Sequence, residues 1–241
     1  MDFKQIFTLT AFLLACLNVH ADNEAPTISP KAVYINQNGE EEESSAFSGS
    51  APLVGRFSAN PSNVGAYSAY YEWRFYTEKN EDSPYLIRYE EDTQYTFTTA
   101  GTHKIVCYAT FTLGTDTVAF TKTYWDEVGP LTVSISESKL DMPNAFSPNG
   151  DGINDIYKAK DGYQSLVEFH AYIFYRWGQK LYEWDNPAGG WDGKFNGKDV
   201  KQGVYYCLVK AKGADGRKFN IRTDVNLLRG YNENGTSTTG Q

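Results

Sequence analysis

Short runs of aromatic and β-branched residues, separated by Gly, Asn and Asp, limit the folds open to this chain more than any other feature. In AYYEWRFYTEK, residues 69–79, the large side chains of Tyr71, Trp73 and Phe75 alternate with polar ones. A period of two is typical of a β-strand with one buried face. Leu and Ala do not form the long stripes that predict helices. The pattern therefore predicts an all-β protein, which we expect to consist of two antiparallel β-sandwiches in tandem.

The first residues predict an exported chain. An apolar run at 6–17 follows a lysine and has about a dozen residues, which fits the core of a signal peptide and is too short to span a bilayer. The sequence VHA places the expected cut after Ala21. A rival site exists at Cys16, because residues 13–16, LLAC, resemble a bacterial lipobox whose cysteine is lipidated. We favour soluble export, since the site at Ala21 competes well.

Charge divides the chain into two parts. Residues 22–137 contain 17 acids and 7 bases, whereas residues 138–241 contain 12 acids and 14 bases. The change near Ser138 coincides with a change in turn composition, so we place a domain boundary there. The acidic first part argues against nucleic-acid binding, because phosphates need neutralising cations. The cluster Glu40 to Glu43 is expected to be a solvated loop.

Side chains that could perform catalysis are too scattered to predict an active site. His103 and His170 remain after signal cleavage and lie far apart in the sequence, so no Ser-His-Asp arrangement has local support. We expect both to be structural. Asp116, Asp126 and Glu127 are the candidate carboxylates near strand ends, and they stand in ordinary loop contexts. The sequence therefore predicts a protein that is not an enzyme and has no cofactor.

Two cysteines, Cys107 and Cys207, lie in the middle of predicted strands, one in each predicted domain. A disulfide between two strand centres would require the buried faces of both domains to meet. We therefore expect two separate buried thiols. The chain contains no C-x-x-C pair and no zinc-ligand spacing.

Residues 45–120 resemble the PKD-like immunoglobulin fold. The resemblance rests on APLVGRFSA at 51–59, on the strand around Trp73 and on YTFTTAGTHKIV at 95–106. It implies an immunoglobulin-like sandwich, in which we expect Trp73 and Cys107 to be buried together. The family's usual W-x-FGDG turn is replaced by WRFYTEK, so no loop function is carried over.

A second family resemblance covers residues 140–230, where several motifs follow in a fixed order. They are NAFSPNGDGIND at 144–155, YRWG at 175–178, WDGKFNGK at 191–198, GVYY at 203–206 and LLRG at 227–230. The series is very similar to the gliding motility-associated C-terminal domain, the type B sorting domain of type IX secretion in Bacteroidota. Three positions depart from the family pattern, at Tyr175, Lys201 and Cys207, and none of them removes a turn glycine.

This resemblance implies that residues 138–231 direct export through the outer membrane, with the type IX machinery as partner. The first domain would then reach the cell surface or the medium. Residues 232–241, rich in Gly, Ser, Thr and Asn, are expected to be a disordered tail. The residues that the resemblance assigns to the sorting motif are Asn144, Phe146, Pro148, Asn149, Gly150, Asp151, Gly152, Asn154, Asp155, Arg176, Trp177, Gly178, Trp191, Asp192, Gly193, Gly203, Tyr205 and Arg229.

The loop 147–158 could be a cation site or a series of tight turns. In an EF-hand alignment, Lys158 takes the twelfth position, where a bidentate Glu is required. Asn and Asp side chains also cap turns by bonding their own backbone. We therefore expect structural turns and no metal.

Glycines and tryptophans complete the expectation for the second domain. Trp177, Trp184 and Trp191 are expected to anchor its core, and Arg176 is expected to stack on Trp177. Glycine accepts positive φ where a strand reverses, and we expect this at Gly150, Gly152, Gly178, Gly193, Gly197, Gly203 and Gly216.

A glycan or protein ligand of the first domain is a further partner to consider. Tyr67, Tyr70 and Tyr71 stand close together before Trp73, and some of them must face outward. Exposed aromatic rings on a β-sandwich could bind sugars, which makes a carbohydrate-binding or adhesive module the alternative function.

Overall fold

The computed structural model describes residues 24–230. The predicted signal peptide, its cleavage at Ala21, the lipobox cysteine Cys16 and the tail 232–241 lie outside these residues. Within the described range, no helix is both long and apolar enough to cross a membrane.

The part of the chain that the sequence predicts as the first domain is described over residues 24–137, and it consists of strands and one short helix. In chain order they are β1 (Thr27–Ile28), β2 (Lys31–Ile35), β3 (Glu41–Glu43), β4 (Ala46–Gly49), β5 (Leu53–Ser58), β6 (Pro61–Ser62), β7 (Ser68–Thr77), β8 (Leu86–Arg88), β9 (Asp92–Phe97), β10 (Gly101–Leu113), β11 (Asp116–Phe120), α1 (Lys122–Val128) and β12 (Leu131–Ile135). One sheet has the order β3-β2-β5-β9, and the other has the order β4-β12-β10-β7-β8 with β11 also paired to β10.

Aromatic side chains join the two sheets of the first domain. The ring of Phe57 on β5 lies 5.8 Å from that of Trp73 and 5.4 Å from that of Phe75, both on β7. On the neighbouring strand, Cys107 is paired directly with Trp73, and both are fully buried. The prediction that these two residues are buried together is confirmed.

The helix α1 was not predicted from the sequence. Its seven residues are too few for a 3.6-residue period to stand out. Trp125 holds it against the sheet, because its indole N–H donates to the carbonyl of Cys107 at 2.8 Å. Asp126 and Glu127, expected in a loop, lie on this helix, and Asp126 pairs with Lys122 at 2.8 Å.

The acidic cluster is exposed as expected, but the prediction of a loop is wrong. Glu41–Glu43 form the edge strand β3, paired with β2. Glu41 lies 3.0 Å from Arg56 and Glu43 lies 3.1 Å from Lys31. These cross-strand ion pairs allow an acidic run to adopt the extended conformation.

The part predicted as the second domain, described over residues 138–230, is built on one five-stranded sheet. Its strands are β13 (Ala145–Phe146), β14 (Leu166–Phe174), β15 (Lys180–Trp184), β16 (Lys194–Phe195), β17 (Lys198–Asp199), β18 (Gly203–Gly213) and β19 (Lys218–Leu227). The sheet order is β13-β19-β18-β14-β15, and β16 and β17 form a separate hairpin. All pairs are antiparallel except β13 with β19.

The inner face of this sheet is covered by the hairpin and by long irregular segments. Tyr157 and Trp191 from these segments are buried in one cluster with Trp184, the last residue of β15, and with the inward-facing Tyr205 and Cys207 of β18. The hairpin turns at Asn196 and Gly197, whose φ angles are 50° and 74°, as the Asn-Gly pair predicts. The all-β, two-sandwich prediction is confirmed, with the short helix α1 as an addition.

Hydrogen bonds join the two domains directly. The Ser165 hydroxyl lies 2.8 Å from that of Ser136 and accepts the backbone N–H of Ala51 at 3.1 Å. The backbone N–H of Ala100 donates to the carbonyl of Ala214 at 3.0 Å. We call this contact the junction; it lies where β14 begins and β18 ends.

Candidate recognition site of the second domain

The strand directions gather the sorting-motif residues at one end of the sheet. β14 ends at Phe174, β18 begins at Gly203, and β19 ends at Leu227. Because β18 is antiparallel to both neighbours, these three termini lie together, and β13, parallel to β19, ends there as well. We call this the motif end. The strand β14 has nine residues and runs from the junction to the motif end. Its eight steps of roughly 3.3 Å each separate the two by about 26 Å.

The loop after β13 is held by its own side chains. The Asp155 carboxylate accepts the backbone N–H of Gly150 at 2.7 Å and that of Gly152 at 2.8 Å. These two hydrogen bonds lower the pKa of Asp155 below its usual range, and the bond from Gly150 has the larger effect. Asn149 and Asp151 cap the next turn, since the Asp151 N–H donates to the Asn149 side chain at 3.0 Å. The carboxylates therefore close turns, as the sequence favoured.

The described part of the chain contains no cluster of three or more His, Cys, Asp or Glu side chains that could hold a metal ion. In the loop itself, the Asp151 carboxylate also accepts the N–H of Ile153 at 2.8 Å. Its other oxygen accepts the side-chain amide of Asn149 at 2.9 Å, so each oxygen of the Asp151 and Asp155 carboxylates accepts a hydrogen bond from within the loop.

Three aromatic rings form the inner part of the motif end. Trp191 packs 5.3 Å from Phe146 and 5.1 Å from Tyr205, and its indole N–H donates to the carbonyl of Lys194 at 2.8 Å. Tyr157, which the sequence did not single out, pairs its backbone with Trp191. Its hydroxyl donates to the carbonyl of Pro143 at 2.9 Å. The NAFSPNGDGIND and WDG motifs therefore share one core.

Arg229 connects three separate loops at the motif end. Its guanidinium donates to the carbonyls of Gly193 at 2.7 Å, Val200 at 3.1 Å and Pro148 at 3.3 Å. Gly193 has a φ of 76°, and a Cβ there would lie 3.2 Å from the guanidinium. A side chain at Gly193 would therefore be strained and would crowd Arg229. The contact of Arg229 with the WDG turn therefore requires a glycine at position 193.

The remaining motif residues shape the backbone. The carbonyl of Asn144 accepts the N–H of Asn226 at 2.9 Å, the Asp192 side chain accepts that of Lys194 at 3.0 Å, and the carbonyl of Asn154 accepts that of Ser147 at 2.8 Å. The seven glycines predicted at reversals all have positive φ, namely Gly150, Gly152, Gly178, Gly193, Gly197, Gly203 and Gly216.

Trp177 is not a core anchor, and that prediction is wrong. It is 77% exposed at the tip of the hairpin between β14 and β15, where no second layer covers it. Gly178 closes the tip by donating its N–H to the carbonyl of Tyr175 at 2.8 Å. The guanidinium of Arg176 lies 4.7 Å from the centre of the Trp177 ring, so the predicted stacking is present. Tyr175 turns inward instead, 5.8 Å from Tyr205.

The first domain holds its histidine in a structural role. His103 is 2% exposed, its Nδ1 lies 3.0 Å from the Tyr85 hydroxyl, and its Nε2 lies 3.0 Å from the carbonyl of Thr99. Burial lowers its pKa below the usual value. Both ring nitrogens are therefore occupied within the fold. His170, by contrast, lies on the exposed face of β14.

The clustered tyrosines of the first domain separate into three environments. Tyr71 is buried, and Tyr67 donates its hydroxyl proton to Asp116. Tyr70 is 52% exposed and lies beside Tyr89, which is 59% exposed, with ring centres 6.0 Å apart and planes tilted by 39°. Of the three clustered tyrosines, Tyr70 is thus the most exposed, and it forms an accessible aromatic surface together with Tyr89.

The two cysteines are free and buried, as predicted. Burial raises the pKa of Cys107 to about 12 and that of Cys207 to about 11. Since the thiolate is the nucleophilic form, neither thiol is suited to react in the folded protein.

Comparison with known families agrees with the motif series. Residues 140–222 match the family described as the CHU_C type IX secretion signal domain. No curated protein matches the chain. Residues 140–222 are therefore similar to a type IX secretion signal domain over their whole length, while the PKD-like assignment of the first domain stays a prediction.

Proposed function

We propose that the second domain acts as a folded export label, which the type IX machinery reads at the motif end. The first domain is then the cargo, a non-enzymatic binding or structural module carried to the outer-membrane surface or into the medium. One observation carries the proposal: the family motifs gather at the end of the sheet that faces away from the junction. A label arranged in this way can meet its receptor while it remains attached to its cargo.

Within the motif end, Arg176 and Trp177 form the part best suited to contact a receptor. Folding accounts for the buried motif residues, such as Trp191, which is fully buried. It does not account for an indole that is 77% exposed. Trp and Arg are the residues most enriched among those that dominate binding energies at protein interfaces. We therefore assign receptor contact to this hairpin tip.

The test is an export assay in a bacterium with a working type IX system, read by the accessibility of the first domain to added protease. Deleting residues 138–241 should leave the first domain in the periplasm. Trp177→Ala should reduce export strongly while the purified protein keeps its melting temperature. Tyr89→Ala is the matched control, because it removes an aromatic side chain of similar exposure from the cargo and should leave export unchanged.

Two results would contradict the proposal at different levels. Surface exposure of the chain that lacks residues 138–241 would remove the sorting role altogether. Normal export of Trp177→Ala, with the deletion still retained in the periplasm, would keep the sorting role and reject the hairpin tip as the contact.

Carbohydrate binding by the first domain is the second function that an observation favours. The exposed pair Tyr70 and Tyr89 offers two adjacent ring faces with polar hydroxyls, which suits stacking against a sugar and hydrogen bonding to it. A glycan array probed with residues 22–241 should show binding that Tyr70→Ala and Tyr89→Ala each weaken. Binding unaffected by either change would place any sugar site elsewhere.

A further inference from the structure

The strand β19 has a long edge without a partner. It contains ten residues, and β18 pairs with all of them on one side. On the other side, β13 pairs only with Asn226 and Leu227. The backbone N–H groups of Asn226 and Leu228 donate to the β13 side. Because the direction of these groups alternates along a strand, the even-numbered residues of β19 point their N–H and C=O groups outward.

Four outward-pointing residues lie beyond β13, at Lys218, Asn220, Arg222 and Asp224. Their side chains are exposed. Among residues 24–230, no backbone group outside β18 forms a hydrogen bond with the backbone N–H or C=O groups of these four residues. The one side chain that does so is Thr223, whose hydroxyl donates to the carbonyl of Asp224 at 3.3 Å. An edge of this kind is a template for another strand.

We propose that a second copy of this chain occupies this edge, with two β19 strands paired antiparallel about Ile221. In that register Lys218 lies opposite Asp224 of the second copy, and Asn220 lies opposite Arg222 of the second copy. Each opposed pair joins a cation to an anion or to a neutral amide. No two like charges lie opposite one another in this register. The result is a two-fold symmetric dimer with one continuous ten-stranded sheet, which joins the five strands of each copy.

The backbone supports the same register as the charges. Residues 218, 220, 222 and 224 are all outward-pointing, so the register places outward groups opposite outward groups. Each such pair exchanges two hydrogen bonds, which gives about eight across the edge. On the inner side, Phe219 lies opposite Thr223 of the second copy, and both residues are only half-buried in the single chain. The pairing therefore also covers apolar surface.

The other edge of the sheet is less suited to this role. β15 has only five residues, and its pairing with β14 is interrupted by a register shift near Phe174. Short and irregular edges are those that natural proteins use to prevent strand addition. Of these two edges, the long regular edge of β19 is therefore the better suited to pair with another strand.

Analytical ultracentrifugation of residues 22–241 over a range of concentrations tests the dimer. We expect a monomer–dimer equilibrium. Asn220→Pro removes one outward N–H and leaves the pairing with β18 intact, so it should weaken the dimer at least tenfold. Asn220→Ala is the matched control, because it keeps the backbone donor, and it should dimerise nearly as well as the unchanged chain. The circular dichroism spectrum should be the same for all three.

A charge exchange tests the register. Lys218→Asp or Asp224→Lys alone should weaken the dimer, because each places like charges opposite one another. The double variant should restore it, since the two charges are then exchanged across the same pairs. Weakening by both single changes without restoration would overturn the register.

Cross-linking gives an independent reading. Ile221→Cys should form a disulfide between copies on mild oxidation, because the two-fold axis places the two residues 221 side by side. Thr223→Cys should not, since its counterpart is offset along the strand. The natural thiols are buried and should not interfere.

A chain that stays monomeric at all concentrations would overturn the proposal, as would a dimer that Asn220→Pro does not weaken. A monomeric chain whose export is blocked by Asn220→Pro but not by Asn220→Ala would also overturn it, and would assign the edge to a strand of another protein.

Discussion

The guanidinium of Arg229 donates to the carbonyl of Gly193 at 2.7 Å, and the same side chain reaches the carbonyls of Val200 and Pro148. One charged group thus joins three separate segments of the chain at the motif end. Bonds from a charged donor are stronger than neutral ones. The rigidity of this end depends on a residue that lies outside the regular strands.

Arg229→Ala should therefore destabilise the second domain. Removing charge-assisted hydrogen bonds typically costs about 1.5–3 kcal/mol. The carbonyls of Pro148 and Val200 would lose the guanidinium as donor, and that of Gly193 would keep only the Val200 N–H at 3.0 Å. Arg229→Lys should recover only part of this, because an ammonium cannot hold three carbonyls in a planar fork. Urea unfolding followed by tryptophan fluorescence measures the change. Lys210→Ala, on the exposed face of β18, is the control and should leave the unfolding midpoint unchanged.

The two tryptophans of the motif end should respond in opposite ways to truncation. Trp191→Ala removes a fully buried ring and should cost about 3–5 kcal/mol of stability. Trp177→Ala removes an exposed ring and should change stability by less than about 0.5 kcal/mol. Thermal unfolding of both variants checks this. A large destabilisation by Trp177→Ala would show that the hairpin tip has a structural role and would weaken its assignment to receptor contact.

The sequence predicts much of the fold because local patterns dominate in β-proteins. The alternation around Trp73 places its side chain on the buried face of β7, and the Asn196-Gly197 pair turns a hairpin as expected. Each feature depends on neighbouring residues in the chain. The position of Trp177 was misjudged for the opposite reason: whether a hairpin tip is covered depends on the rest of the domain, and composition favours burial of any tryptophan.

Contacts between residues far apart in the sequence were not predictable, because they depend on how the whole domain packs. Nothing in the sequence marks Tyr157 as the partner of Trp191, or Ser165 as the residue that joins the two domains. The role of Arg229 also became clear only from its three carbonyl partners. The family resemblance assigned the motif residues as one set, and it did not separate those that are buried in the fold, such as Trp191, from those that are exposed, such as Trp177.

The loop capped by Asp155 should weaken in acid. Its folded-state pKa lies below the ordinary value because two backbone amides donate to the carboxylate. Its contribution to stability is therefore full above the unfolded pKa and is lost as the pH falls through the folded pKa, below about pH 4. Asp155→Asn should lower stability at neutral pH and reduce the further loss in acid. Asp161→Asn, whose side chain is 97% exposed, should leave the acid profile unchanged.

Calcium should have little effect on the same loop. Backbone amides and the side-chain amide of Asn149 already donate to the oxygens of Asp151 and Asp155, so EDTA should leave the melting temperature of residues 22–241 nearly unchanged. A large rise in melting temperature with added calcium would contradict this, because a ligand that binds only the folded state must stabilise it.

The junction should depend on Ser165, which is 1% exposed. Ser165→Ala leaves the buried N–H of Ala51 without its acceptor and removes the bond to Ser136. An unsatisfied buried group costs about 1–3 kcal/mol, so unfolding should begin at a lower urea concentration. Ser50→Ala is the matched control, since that hydroxyl makes one longer contact of 3.3 Å and should matter less.

The two thiols should report the opening of each domain separately. Cys107 belongs to the core of the first domain and Cys207 to that of the second. Burial raises their pKa values to about 12 and about 11, so at pH 8 almost no thiolate is present and access is blocked. A maleimide or iodoacetamide reagent should therefore label neither residue in the native protein and both in urea, as mass spectrometry of peptides can show. In Trp191→Ala, Cys207 should become reactive at a lower urea concentration than Cys107, because only the second core has lost its central ring. Rapid labelling of either cysteine in the native protein would contradict the burial on which this prediction depends.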